Sequence, residues 1–186
     1  MYSRLLKLDK LYGAQNYKSL QVILRQGKGV HVTDIEGKEY YDFLSSYSSV
    51  NQGHCHPSIV NAMIEQSQNL TLTSRAFHND KLGLYEKYVT NYFGFDKVLP
   101  MNTGAEAVET ALKIARKWAY EVKGIPQNEA QIIVCENNFH GRTTTIISFS
   151  NDPIARDSFG PFTDGFIKIP YDDSAALEET LNNNSP

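Results

Sequence analysis

Ile132-Ile133-Val134-Cys135 is the run that most restricts what this chain can fold into. It is bounded by Gln131 and Glu136, so it is too short for a buried helix and has no polar positions for a wet face. A strand covered on both faces fits it, as in a parallel sheet. Parallel neighbours need crossover connections, usually helices, and the sequence supplies them. Phe166 to Pro170 reads as another strand, and Ser174 to Leu181 as a helix after it. A long helix is predicted from Asn102-Thr103-Gly104 through Glu121, with Val108, Ala111, Leu112, Ala115 and Ala119 on its buried face. Its Glu109 and Lys113 form an i,i+4 surface pair.

Upstream, Pro57 opens a helix whose inner face is Ile59, Val60, Met63 and Ile64. A second helix covers Lys81 to Phe93, with Leu82, Leu84, Tyr85, Tyr88 and Val89 partly buried. Gly29 to Phe43 reads as two short strands joined by a turn at Asp34-Ile35-Glu36-Gly37. Pro100 argues against a strand in the apolar run Val98 to Met101. Alternating strands and helices give an α/β layer architecture. The closing Asn182-Asn183-Asn184-Ser185-Pro186 reads as a loop, and a parallel sheet with so few strands reads as interrupted.

Composition removes several function classes. A charged fraction of 21% with a net charge of -3 gives no electrostatic footprint for nucleic acid. No stretch is long and apolar enough for a bilayer helix, so no membrane partner is expected. Met1 to Tyr12 mixes Leu with Arg, Lys and Asp and is not a secretory signal. Cys55 and Cys135 make no disulfide framework, which suits a reducing, cytoplasmic setting.

Three segments can carry chemistry. Thr103-Gly104-Ala105-Glu106 is a capping box: Thr103 is the N-cap and Glu106 lies three residues on. The free N–H groups of such a helix start, with its dipole, suit a phosphate. From these residues alone a capped helix that binds nothing is the favoured reading, since capping boxes are common. Asn137-Asn138-Phe139-His140-Gly141-Arg142 follows the Ile132–Cys135 strand, where ligands of open α/β sheets sit. There Phe139 can stack on a planar ring, Arg142 can fork onto a carboxylate, and His140 can hydrogen-bond or titrate. A core Phe, a surface Arg and a structural His remain the competing reading. Asn51-Gln52-Gly53-His54-Cys55-His56-Pro57 raises zinc, but the other His and Cys residues lack a ligand spacing, so no metal is expected. Neither a dinucleotide fingerprint, a Walker loop nor a nucleophile elbow occurs.

Taken together, these segments resemble a known family. Phe43 through Pro57, Tyr12-Gly13-Ala14 with Asn16-Tyr17, and Leu72-Thr73-Ser74-Arg75-Ala76-Phe77 are similar to ornithine aminotransferases. Met101 through Ala107, Asn138 through Thr143, and Phe159-Gly160-Pro161-Phe162 continue the likeness. The Thr-Gly-Ala-Glu-Ala and Phe-His-Gly-Arg pieces are shared with the wider class III aminotransferases. Around Tyr17 the chain reads Gln15-Asn16-Tyr17-Lys18-Ser19, where the family often has His before the Asn and Pro after the Tyr.

The resemblance implies fold type I of the pyridoxal 5'-phosphate (PLP) dependent transferases, working as a homodimer. Residues 1–50 would be the N-terminal segment with part of the small domain, and 51–186 the first part of the large cofactor domain. By resemblance, Thr103, Gly104 and Ala105 hold the PLP phosphate and Phe139 stacks on its ring. Arg142 pairs with the carboxylate of 2-oxoglutarate or glutamate, and Tyr17 and Tyr47 shape the ornithine pocket. The implied reaction moves the δ-amino group of ornithine to 2-oxoglutarate, giving glutamate semialdehyde and glutamate. The family's Schiff-base lysine and the aspartate facing the pyridine nitrogen fall past Pro186, so no catalytic residue is assigned and residues 1–186 alone are expected to be inactive. Acetylornithine or 4-aminobutyrate transamination, and a non-catalytic truncated chain, are the alternatives.

Overall fold

The computed structural model describes residues 2–183. They fall into two compact units that divide between Leu82 and Gly83.

The first unit opens with helix α1 (Tyr2–Tyr12) and continues as an antiparallel meander of β1 (Leu24–Lys28), β2 (His31–Asp34) and β3 (Glu39–Tyr41). Val32 is the buried apolar residue of the meander, paired with Gly27 on one side and Tyr40 on the other. Asp34 closes the β2–β3 turn. Its Oδ1 accepts from the Glu36 and Lys38 N–H groups, each at 2.9 Å, and its Oδ2 from the Tyr40 hydroxyl at 2.8 Å. Burial raises the Asp34 pKa, but the Lys38, Tyr40 and Glu36 hydrogen bonds outweigh it and hold the carboxyl below its ordinary value. A one-turn element α2 (Ser45–Ser48) and helix α3 (Pro57–Asn69) complete the unit. The two strands read from Gly29–Phe43 are β2 and β3. Their partner β1 was not legible, because Leu24-Arg25-Gln26-Gly27-Lys28 has almost no apolar signal and a bulge breaks its register.

The second unit runs through α4 (Leu82–Phe93), α5 (Gly104–Glu121), β4 (Ile132–Cys135), α6 (Thr144–Ser148), α7 (Pro153–Arg156), β5 (Phe166–Ile169) and α8 (Ser174–Asn183). β4 and β5 pair in parallel, with Ile132 opposite Phe166 and Cys135 opposite Ile169, as the apolar run demands. The core is Leu112 of α5 with Ile146 and Phe149, and Ala105, Val108, Ile132, Val134 and Phe166 pack around it. Alternation along β4 turns Ile132 and Val134 toward this core. Residues 97–103 form no strand, in line with Pro100.

Several expectations need correction. Ile59, Met63 and Ile64 of α3, and Leu84, Tyr85 and Tyr88 of α4, are exposed, whereas Val60, Leu82 and Val89 of the same faces are half-buried. On α5, Leu112 is buried and Val108 and Ala119 half-buried, but Ala111 and Ala115 face solvent. Glu109 accepts a hydrogen bond from the Thr143 hydroxyl, and no ion pair joins it to Lys113 among the described residues. Asn182 and Asn183 extend α8 instead of forming a loop, while Asn184, Ser185 and Pro186 lie outside the described residues.

Candidate active site

The start of α5 is built by reciprocal capping. Thr103 has extended backbone angles, φ -137° and ψ 161°. Its Oγ1 accepts from the Glu106 N–H at 3.1 Å, and Glu106 Oε2 accepts from the Thr103 and Asn102 N–H groups at 3.1 and 2.9 Å. The box therefore occupies the N-cap and third N–H groups. The first two helical N–H groups, of Gly104 and Ala105, have no acceptor among the described residues. A Cβ placed on Gly104 would meet nothing within 4 Å. Two donors without an acceptor at the positive end of a helix fit an anionic group such as a phosphate.

The loop after β4 lies against this same turn. Gly141 has φ +127°, and a Cβ there would come 3.0 Å from the Ala105 Cβ and 3.3 Å from the Ile146 Cδ1. Only glycine allows this backbone to rest on the first turn of α5. The Thr143 hydroxyl, bonded to Glu109, fastens the loop a turn further along. At the other end, Asn138 Nδ2 donates to the Cys135 and Phe149 carbonyls at 2.6 and 3.1 Å. Between these anchors Phe139 is 73% exposed, with the Arg142 guanidinium carbon 5.8 Å from its ring centroid. His140 tilts against the core residue Phe149 at 6.0 Å between ring centroids. Cavities of about 660 and 400 Å³ flank Phe139 and His140, within the range of small-molecule sites. Ala105 is therefore brought against Gly141, in the loop that carries Phe139 and Arg142, while Thr103, Gly104 and Ala105 do not line the two cavities. Sequence reasoning found both motifs but neither of the contacts, Gly141 on Ala105 and Thr143 on Glu109, that join them.

Tyr17 and Tyr47 belong to the first unit. Tyr17 lies in the irregular stretch between α1 and β1 and is largely exposed. Tyr47 is 81% exposed and sits in a left-handed turn: φ is 46° at Ser45, 50° at Ser46, 55° at Tyr47 and 68° at Ser48. Each such non-glycine residue costs about 1–2 kcal/mol over its right-handed form. The turn is bought with the side chain of Asp42, whose Oδ1 accepts from the Leu44 and Ser45 N–H groups at 3.1 and 2.8 Å. Asp42 Oδ2 accepts from His54 Nε2 at 2.7 Å. The His54 hydrogen bond, then the Ser45 N–H, hold the Asp42 carboxyl below its ordinary pKa. His54 therefore has an acid partner, and no cluster of three or more His, Cys, Asp or Glu residues suited to a metal occurs among the described residues. Asp42 was missed in the sequence. Its available signal was an Asp two and three residues before the N–H groups it caps, the usual Asx-turn spacing.

The family model for class-III aminotransferases matches residues 12–185. An ornithine aminotransferase of Plasmodium falciparum is 62% identical over 170 residues, which is 91% of this chain and 41% of that protein. The chain thus spans about two fifths of the length of that curated relative, and other similar ornithine aminotransferases are named as mitochondrial. The crystal structure of the Toxoplasma gondii ornithine aminotransferase superposes with a TM-score of 0.96 at 51% identity, covering 98% of this chain and 43% of that one. An acetylornithine aminotransferase from Elizabethkingia anophelis is 64% identical with a TM-score of 0.84, covering 99% and 44%. The chain belongs to the class-III aminotransferases, a family of PLP-dependent enzymes.

Proposed function

We propose that the protein to which this chain belongs transfers the δ-amino group of ornithine to 2-oxoglutarate, giving glutamate semialdehyde and glutamate. The observation that carries the reading is the rest of Gly141 on Ala105. It joins the helix start, with its two free N–H groups, to the loop that carries an exposed aromatic ring and an arginine, groups that suit a phosphate, a planar heterocycle and a carboxylate. Bound PLP supplies an electron sink for the carbon that gains or loses the amino group. The Gly104 and Ala105 N–H groups hold its phosphate together with the Thr103 cap, and Phe139 stacks on its ring. Arg142 offers the planar fork that grips the carboxylate of 2-oxoglutarate or glutamate. Tyr17 and Tyr47 shape the pocket for the donor. No lysine among residues 1–186 is assigned to the covalent attachment, so this chain alone is expected to be inert.

The ornithine-named relatives support this donor, and the 64% identity to an acetylornithine enzyme supports the second reading, acetylornithine as donor. The kcat/KM of the full-length enzyme for the two donors decides between them: the ornithine reading expects a clear preference for ornithine, and the reverse preference ends it. A homodimer, a cytoplasmic location and a boundary near residue 50 between small and large domains complete the proposal. No helix among the described residues is long and apolar enough to cross a membrane.

A further inference from the structure

We propose that Asp42 and His54 are positioning residues for the amino donor, because together they hold the left-handed turn that presents Tyr47. The proposal rests on the assignment of Tyr47 to the donor pocket.

The turn is not self-sufficient. Its internal backbone bonds run from Ser48 N to Leu44 O, from Ser49 N to Ser46 O and from Val50 N to Ser45 O, at 3.3, 3.2 and 3.0 Å. The Leu44 and Ser45 N–H groups at its entry look instead to Asp42 Oδ1. Asp42 is in turn fixed to the sheet, because its own N–H donates to the Val30 carbonyl at 2.8 Å. Its second carboxylate oxygen reaches His54 Nε2 at 2.7 Å, and both side chains are mostly withdrawn from solvent.

The place of His54 is set independently of the turn. Its N–H and carbonyl pair with those of Gly29 at 2.8 and 2.9 Å. Its ring occupies the space beside Gly27, where a Cβ would come 2.7 Å from the His54 Cγ. Gly53, at φ +85°, lies so close that its own Cβ would be 2.9 Å from the Gly29 Cα. Three glycines, Gly27, Gly29 and Gly53, therefore build a niche at the end of β1 for one histidine. That histidine holds the carboxylate that caps the strained turn, so the chain of support runs from sheet to His54 to Asp42 to Ser45–Ser48.

Strain held this firmly, under a tyrosine that packs into no core, is what a binding element requires rather than what a fold requires. The segment was singled out in the sequence for its two histidines, and the family-level reading gives His54 and Asp42 no task.

The test uses the full-length enzyme loaded with PLP and the variants Asp42→Ala, Asp42→Asn, His54→Gln and Tyr47→Phe. The two half-reactions are measured separately, with ornithine and with glutamate, alongside amide hydrogen exchange of residues 43–50. Asp42→Ala is expected to raise exchange in that segment and to lower kcat/KM for ornithine by roughly tenfold or more, with glutamate changed less than about twofold. Asp42→Asn keeps an acceptor for the two N–H groups and is expected to recover part of the loss. If Asp42→Ala does not fold, His54→Gln carries the same expectation, since it removes the anchor and leaves the cap. Unchanged exchange overturns the proposal, as does an equal loss in both half-reactions. A silent Tyr47→Phe shows that the donor-pocket reading is at fault. A strong Tyr47→Phe effect beside a silent Asp42→Ala shows that the positioning role is.

Discussion

The start of α5 and the Ser45–Ser48 turn both offer polar groups to solvent, and they are built in opposite ways. At α5 every local rule agrees: an extended Thr103, a reciprocal Glu106, a right-handed helix behind them and a small residue in front. At Ser45–Ser48 the backbone goes against the handedness of L-residues at four successive positions and is held by a carboxylate from outside the turn. The first arrangement keeps its shape whether or not anything binds. The second keeps its shape only while Asp42 and His54 do, so damage to the two regions should differ in kind.

The largest effect is expected at the contact that joins the cofactor side together. Gly141→Val places a branched side chain where φ is +127° and the Ala105 Cβ is 3.0 Å away. Backbone strain of this sort costs about 1–3 kcal/mol before any clash is counted. The loop should lift from α5, and PLP affinity of the full-length enzyme should fall about a hundredfold or more, as read by titration of the apoenzyme. Retained affinity would mean that the helix start and the Phe139 loop work separately.

Arg142→Lys comes next and leaves the loop in place. Lysine keeps the charge and loses the bidentate fork. A charge-assisted bond of about 1.5–3 kcal/mol corresponds to a ten- to hundredfold loss in kcat/KM for 2-oxoglutarate, with PLP affinity unchanged. Unaltered kinetics with both substrates would return Arg142 to the surface.

The same contrast explains what could be read from the sequence. The capping box, the β4 run and the Pro57 helix start are short-range signals, each complete within a few residues, and the structure has all three. The link between Gly141 and Ala105 spans 36 positions and depends on a backbone angle, which no local pattern encodes. Asp42 and His54 are twelve residues apart, and the histidine stood in a His-Cys-His run that reads as a loop feeding a helix, with nothing local to mark a carboxylate partner. The apolar faces of α3 and α4 were legible as apolar, but periodicity marks only which residues seek cover and not where the cover lies. β1 carried no pattern at all because its place is fixed by pairing with β2.

Smaller effects separate the two regions by sign. Thr103→Ala removes one half of the capping box and is expected to cost about 1 kcal/mol of stability. Ser46→Gly should do the reverse. It relieves a left-handed residue at φ 50°, while the greater freedom of glycine in the unfolded chain takes back part of the gain, leaving a net stabilisation below about 1 kcal/mol. Thermal or urea melts of the full-length protein read both, and a destabilising Ser46→Gly would show that the turn is not strained.

The smallest effect is a dependence on acid confined to the Asp42 side of the comparison. The Asp42 carboxyl is held below its ordinary value of 3.8, first by the His54 hydrogen bond and then by the Ser45 N–H. A carboxylate with a depressed folded-state pKa contributes stability that is fully present above the unfolded value. That contribution disappears as the pH falls through the folded value. Wild type should therefore exceed Asp42→Asn in stability by a constant margin at neutral pH. The margin should narrow only below pH 3.8, where the unfolded chain takes up the proton first. Asp34 follows the same rule in the β2–β3 turn, so Asp34→Asn is the matched control within the same unit. The difference lies in exchange: Asp42→Asn should also loosen residues 43–50 at neutral pH, whereas Asp34→Asn should loosen the β2–β3 turn and leave Tyr47 in place. A margin that narrows near neutral pH instead would mean that another group, and not the Asp42 carboxylate, carries the stability of the turn.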